Sequence, residues 1–198
     1  MSKIIWLVIF FVFLIWSGIQ PKDQFTWFLE VLPAIIGIVI LGFTEKNFPL
    51  TPMLYVLILF HCVVLMIGGH YTYAEVPFFD WLKETFDLTR NNYDKVGHFT
   101  QGFVPAIIAR EVFIRNNVIN NIWWRRVLVV SICLAFSAFY ELIEWWVALA
   151  SGEDAEAFLG TQGYAWDTQS DMFWCLIGSL VALVLLSRWH DKQIAKLA

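Results

Sequence analysis

The sequence predicts an all-α fold, a multi-pass transmembrane helix bundle of about six spans with both termini cytoplasmic, built as a single domain over residues 1–198. Three observations carry that expectation. Apolar residues make up 59% of the 198-residue chain and charged residues only 15%, against about 45–50% and about 25% in soluble domains. A soluble fold of this length would leave roughly a third of its surface in water and could not hide so much apolar area; lipid can solvate it instead. The apolar residues are also gathered into runs close to the ~20 residues that cross a ~30 Å hydrocarbon layer. Finally, 11 Trp suit the two membrane interfaces, where the ring sits in the apolar layer and its N–H in the wet one.

The first run, Ile4–Ile19, ends at Gln20-Pro21-Lys22-Asp23 and has no small-residue cleavage site, so it reads as a span rather than a removed signal. The second, Thr26–Phe43, contains Pro33 and Gly37, tolerable where neighbouring helices satisfy the freed backbone groups. The third, Pro52–Gly69, begins with Pro in its first turn, where the missing N–H costs nothing. Lys95–Ile114 and Arg125–Ala150 follow as the fourth and fifth, both carrying polar residues, and Ser170–Ser187 is the sixth. Between the third and fourth, Phe79–Leu88 in the aromatic stretch His70–Asp94 predicts a short amphipathic helix lying in the interface. The connection Ser151–Gln169 is acidic and lacks Lys and Arg. Orientation follows from basic residues, which favour the cytoplasmic side. An inside N-terminus puts nine of the 13 there: Lys3, Lys46, Arg110, Arg115, Arg125, Arg126, Arg188, Lys192 and Lys196. The short basic link between spans four and five suits anionic headgroups.

Net charge of −4 is divided between two sides of a membrane, and no basic nucleic-acid footprint is present. Cys62, Cys133 and Cys175 stand in separate apolar runs without ligand spacing, as buried small hydrophobes do. Function is better sought where lipid makes polarity costly. A charge at mid-bilayer costs about 2.5–3.5 kcal/mol on insertion scales, so it needs company inside the bundle. Glu141 and Glu144 are three apart on one face of span five, with Ser137 and Tyr140 near the same stripe. At 1.5 Å per residue they lie roughly 22–27 Å along the helix from Arg126, in the outer half. Asp94 and His98 are four apart at the start of span four, with Gln101 continuing that face, and Asp167 and Asp171 are four apart at the start of span six. Three pairs, DxxxH, ExxE and DxxxD, thus reach one depth and meet if the three helices pack together.

Plainer readings exist for some of these residues. Asp94 and Asp167 suit helix N-caps, Thr168-Gln169-Ser170-Asp171 fits a capping box, and His98 suits a satisfied buried histidine. Glu141 and Glu144, deep within a helix, have no capping role. Together the acids would repel unless protons, a basic side chain or a cation neutralised them, and Arg90 and Lys95 are the nearby bases. A divalent metal cation held by His98, Glu141, Glu144, Asp167 and Asp171 would do so, and would polarise a phosphate or activate water. Without metal, Asp94, His98, Glu141 and Glu144 form a candidate catalytic set in which Asp94 orients His98. A proton or cation relay is the transport alternative; six helices leave little room for a path, an objection that a homo-oligomer would weaken. A non-catalytic envelope binding protein is the third reading. His70 is a candidate additional ligand, His61 faces elsewhere, and His190 reads as a solvated tail residue.

Three motifs carry a family resemblance: Asp94-Lys95-Val96-Gly97-His98-Phe99, Glu141-Leu142-Ile143-Glu144-Trp145, and Gly163-Tyr164-Ala165-Trp166-Asp167-Thr168-Gln169-Ser170-Asp171-Met172. In these the chain resembles the YjdF family of bacterial inner-membrane proteins over nearly its whole length, and more distantly the VanZ-like membrane proteins. The VanZ-like pattern pairs D-K-x-x-H-F with an acid three before a glutamine and with an Asp four before an Asn. Here Glu144 and Asp171 replace the two amides, so the site is more acidic and better suited to a cation. The resemblance implies an all-helical, multi-pass protein of the bacterial inner membrane. For an outward-facing site it suits an envelope role on membrane lipid, a lipid-linked substrate or another small phosphate-bearing molecule.

Overall fold

The computed structural model describes residues 2–151 and 161–197. Seven helices occur among them: α1 (Lys3–Gly18), α2 (Gln24–Thr44), α3 (Pro52–His70), α4 (Pro77–Thr85), α5 (Tyr93–Arg115), α6 (Ile122–Ser151) and α7 (Asp167–Ile194). Each long helix follows an apolar run, and local chemistry starts it. Ser2 caps α1 by accepting from the Ile5 N–H, and Asp23 caps α2 by accepting from the Thr26 N–H. Pro52 and Pro77 open α3 and α4. The amphipathic helix expected at 79–88 forms two residues earlier, with Phe78 and Trp81 stacked on its exposed side. The acidic connection expected at 151–169 falls largely on residues 152–160, outside those described.

Two helix groups share the bundle. In the first, α1 and α2 lie on α3: Trp6 Nε1 of α1 donates to the Tyr55 carbonyl of α3 at 2.7 Å, and Trp27 Nε1 of α2 donates to Ser17 Oγ of α1 at 3.0 Å. In the second, α5 runs along α7, with α6 against both. Contacts between α3 and α5 join the groups into one core containing Phe10, Leu54, Met66, Val104, Ile107 and Val129. The α5–α7 contact is backbone on backbone. A Cβ on Gly102 would stand 1.9 Å from the Cys175 carbonyl oxygen, and one on Gly178 would stand 2.0 Å from that of Phe99. Only glycine fits at such a crossing, as at other close helix contacts in membranes. The three cysteines are buried and free, as their apolar surroundings in the sequence suggested.

α2, α3, the Ile122–Ala150 part of α6, and α7 are long and apolar enough to cross a membrane. α1 is apolar but has 16 residues, about 24 Å at 1.5 Å each. α5 has the length but carries Asp94, Lys95, Arg110, Glu111 and Arg115. The chain is therefore an all-α multi-pass bundle with four such spans among the described residues. Broad outward exposure of Ile, Leu, Val and Phe on these helices is what a lipid-facing surface looks like.

The bundle end opposite the candidate site is tied by a second polar cluster. Glu111 and His190 both have 0% exposure, with His190 Nε2 2.8 Å from Glu111 Oε2. That carboxylate also accepts from Thr51 Oγ1 at 2.8 Å, the Thr51 N–H at 3.1 Å and Arg115 at 2.9 Å. Arg110 approaches His190 Nδ1 at 2.9 Å and pairs with Asp191. Since Arg110 can only donate, Nδ1 accepts, and the Nε2 proton goes to Glu111. The expectation of a solvated His190 is thus corrected: α7 runs to Ile194, seven residues past Ser187, and this extra length carries His190 back against α5.

Candidate functional site

The three acid pairs converge because of how their helices run. Asp94 and His98 lie in the first turns of α5, Asp167 and Asp171 in the first turns of α7, and Glu141 and Glu144 towards the end of α6. With α5 and α7 locked together at Gly102 and Gly178, the starts of both helices meet at one end of the bundle. His98 is the hub. Its Nε2 is 3.2 Å from Asp94 Oδ1 and 3.9 Å from Asp171 Oδ2, and its Nδ1 is 3.0 Å from Gln101 Oε1. Two ligand-capable groups among the described residues share it: Asp94, His98 and Asp171 form one, and His98, Glu141 and Glu144 the other. Within each group one donor atom per residue lies within 4.8 Å of the rest.

The site is enclosed, which corrects the expectation that it faces outward. His98 is 7% exposed and Asp171 3%, and Asp94, Glu141, Glu144 and Asp167 are also buried. Residues beyond the motifs make the enclosure. The Gln162 side-chain amide makes two 2.9 Å hydrogen bonds to the Asn91 backbone, accepting from its N–H and donating to its carbonyl, and the Asn91 side chain donates to Asp80 and to the Val76 carbonyl. Tyr164 lies beneath both Lys95 and Arg90, 5.3 and 5.6 Å from its ring centre. On the α3 side Tyr73, with a left-handed φ of 55°, is wedged between two helices. A Cβ on Gly68 would come 2.2 Å from its ring and one on Gly97 2.7 Å. That contact explains the glycine one residue before His98.

Capping does not account for the aspartates. The residues at the cap positions of α5 and α7 are Asn92 and Trp166, and neither makes a side-chain cap bond. Asp94 instead bonds His98 and sits 3.3 Å from Arg90. Asp167, expected among the metal ligands, pairs through Oδ1 with the buried Arg90 guanidinium and belongs to neither ligand-capable group. Position decides this: Asp167 is one turn nearer the helix start than Asp171, level with Arg90. His70 also lies elsewhere, its Nδ1 3.0 Å from the Ser17 carbonyl and its ring stacked on Trp16.

One acid escaped the sequence reading. Glu30, buried on α2, accepts from the Tyr140 hydroxyl at 3.0 Å and so joins α2 to the face of α6 that bears Glu141. Its signal was present: it is the single charged residue between Gln24 and Thr44. An isolated acid in such a run announces a partner without naming it.

Two features bear on what the cluster can hold. Glu141 Oε1 and Asp171 Oδ1 are buried without a hydrogen-bond partner among the described residues. Such a carboxylate oxygen is costly unless a proton or cation meets it. The second concerns His98. With Nδ1 donating to Gln101 Oε1, Nε2 is left facing two carboxylates, so a positive charge must lie among them, either a second proton on the imidazole or a cation. An imidazole fixed through its remote nitrogen is also how proteins present histidine to metals.

A family described as predicted membrane proteins (DUF2238) matches residues 2–192. The chain is 50% identical over 183 residues to the inner membrane protein YjdF of Escherichia coli (strain K12), an alignment covering 92% of this chain and 88% of that one. No solved structure matches. The resemblance to the YjdF family is therefore borne out, and the four apolar spans with this similarity place the chain in the inner membrane as a multi-pass protein.

Proposed function

This chain belongs to the DUF2238 family of predicted membrane proteins, and we propose from that premise that its buried cluster binds one divalent cation and uses it on a phosphate-bearing envelope substrate. The single observation carrying this reading is that His98 is shared by two ligand-capable groups, one with Asp94 and Asp171 and one with Glu141 and Glu144. One imidazole with several carboxylates is a mixed nitrogen–oxygen set suited to Mn²⁺ or Zn²⁺. The unpartnered Glu141 and Asp171 oxygens supply ligand atoms, Gln101 orients His98, and Arg90 neutralises Asp167 beside the site. A cation held there would polarise a phosphoryl oxygen or lower the pKa of bound water. Buried acids next to His98 could carry the proton released. Six crossings with both termini cytoplasmic, α1 and α5 included, is the topology that the Lys/Arg bias supports. The enclosed site then lies in the half of the bundle nearer the outer leaflet, and a lipid-linked substrate would approach sideways from that leaflet.

Metal content of detergent-purified protein tests this, with Glu141→Gln/Glu144→Gln as comparison. About one divalent ion per chain in the native protein and its loss in the variant is the expected result. Absence of stoichiometric metal from both samples rules the reading out. A cation- or proton-coupled carrier is the second reading, favoured by the Tyr140–Glu30 link that continues the acidic cluster across to α2. Tracer uptake into proteoliposomes that Glu30→Gln abolishes, without metal loss, would select it.

A further inference from the structure

At the end of the bundle remote from the acidic cluster, a groove of about 950 Å³ opens between the first turns of α6 and the last turns of α7. Its walls are apolar, with Val127 and Val130 from α6 and Leu180, Leu183 and Val184 from α7, and Arg126 and Arg188 stand along it. We propose that this groove is a binding site for an anionic phospholipid, its phosphate held between the two guanidinium groups and an acyl chain along the apolar walls.

Charge carries the argument. Five arginines lie at this end, and three are already engaged. Arg110 pairs with Asp191 and His190, Arg115 with Glu111, and Arg125 donates to the Ile119 carbonyl. Arg126 and Arg188 form no ion pair among the described residues; Arg126 lies 5.0 Å above the Trp123 ring. Planar guanidinium groups suit phosphate oxygens. Their level is that of headgroups, because Trp123, Trp124 and Trp189 are exposed around them, as in an interfacial belt. From Arg188 to Leu180 the α7 wall runs about 12 Å, most of one leaflet's ~15 Å of hydrocarbon. A second copy of the chain is the poorer occupant. A two-fold contact places the same patch on both partners, so it would gather four arginines with no acid to meet them.

The test uses full-length protein in detergent, with native mass spectrometry after addition of dioleoyl phosphatidylglycerol or dioleoyl phosphatidylcholine. One phosphatidylglycerol adduct is expected, with Arg126→Gln/Arg188→Gln weakening it about thirtyfold, the equivalent of ~1 kcal/mol for each basic side chain. Val184→Trp, which keeps both arginines and narrows the groove at an exposed position, is expected to weaken it as well, and it decides the matter should the double variant not fold. Excess inorganic phosphate should leave the adduct in place. Equal retention of both lipids, an adduct indifferent to these substitutions, displacement by free phosphate, or a dimer that excludes lipid would each overturn the proposal.

Discussion

Replacing Gly102 by alanine tests the architecture on which the site depends. The added Cβ would lie 1.9 Å from the Cys175 carbonyl oxygen, 2.7 Å from its carbon and 3.0 Å from its Cα. These are backbone atoms of a packed helix and cannot swing aside as a side chain would, so α5 and α7 must separate. Relief to an ordinary contact requires more than 1 Å of movement, since nine in ten real Cβ contacts lie beyond 3.4 Å. Overpacking of this kind costs about 1–3 kcal/mol, and the backbone clash puts it at the upper end. In a chain of this length each kcal/mol moves Tm by about 2–4 °C, so a loss of about 6–12 °C is expected. Separation also draws Asp94 and His98 away from Asp171, so metal content should fall in the same variant. Thermal unfolding of detergent-purified protein, followed by the fluorescence of its 11 Trp, measures the first effect. Gly37→Ala and Gly42→Ala are the controls, because a Cβ there meets nothing within 4 Å. Gly102→Ala as stable as either control would refute the close crossing, and with it the geometry that joins the two aspartate-bearing helix starts.

The two α7 aspartates should separate in a second measurement. Asp171→Asn removes a ligand atom and is expected to lower metal occupancy at least tenfold, whereas Asp167→Asn should keep the metal and lower stability by leaving Arg90 with a weaker partner; metal content and Tm measured together reveal a reversed pattern. At the opposite end, Glu111→Ala strands the Thr51 N–H, Arg115 and His190 in a buried site. A loss of about 3–5 kcal/mol with unchanged metal per folded chain is expected, and reduced metal in protein that remains folded would contradict the separation of the two clusters.

Much of the fold was legible because lipid imposes a simple rule: every backbone polar group must be satisfied within the segment that crosses. Apolar runs of the right length therefore mark the helices directly, and Phe79–Leu88 was recognisable from its aromatic face. The acids stood out for a related reason. Charge costs so much in an apolar run that Glu141 and Glu144 could not be there without partners. The same logic, applied to Gln24–Thr44, would have found Glu30, whose buried partner Tyr140 is 110 residues away.

Sequence alone thus determined that the chain crosses a bilayer, where its helices lie, and that Asp94 shares a helix face with His98, Glu141 with Glu144 and Asp167 with Asp171, because period and polarity act within one helix. Tertiary structure alone decided that Asp167 goes to Arg90, that His190 is buried against Glu111, and that the acidic cluster is enclosed rather than open. Those outcomes depend on the register in which one helix meets another. That register is set where Gly102 and Gly178 let two backbones touch, and no pattern within either helix records which atoms will face it across the gap.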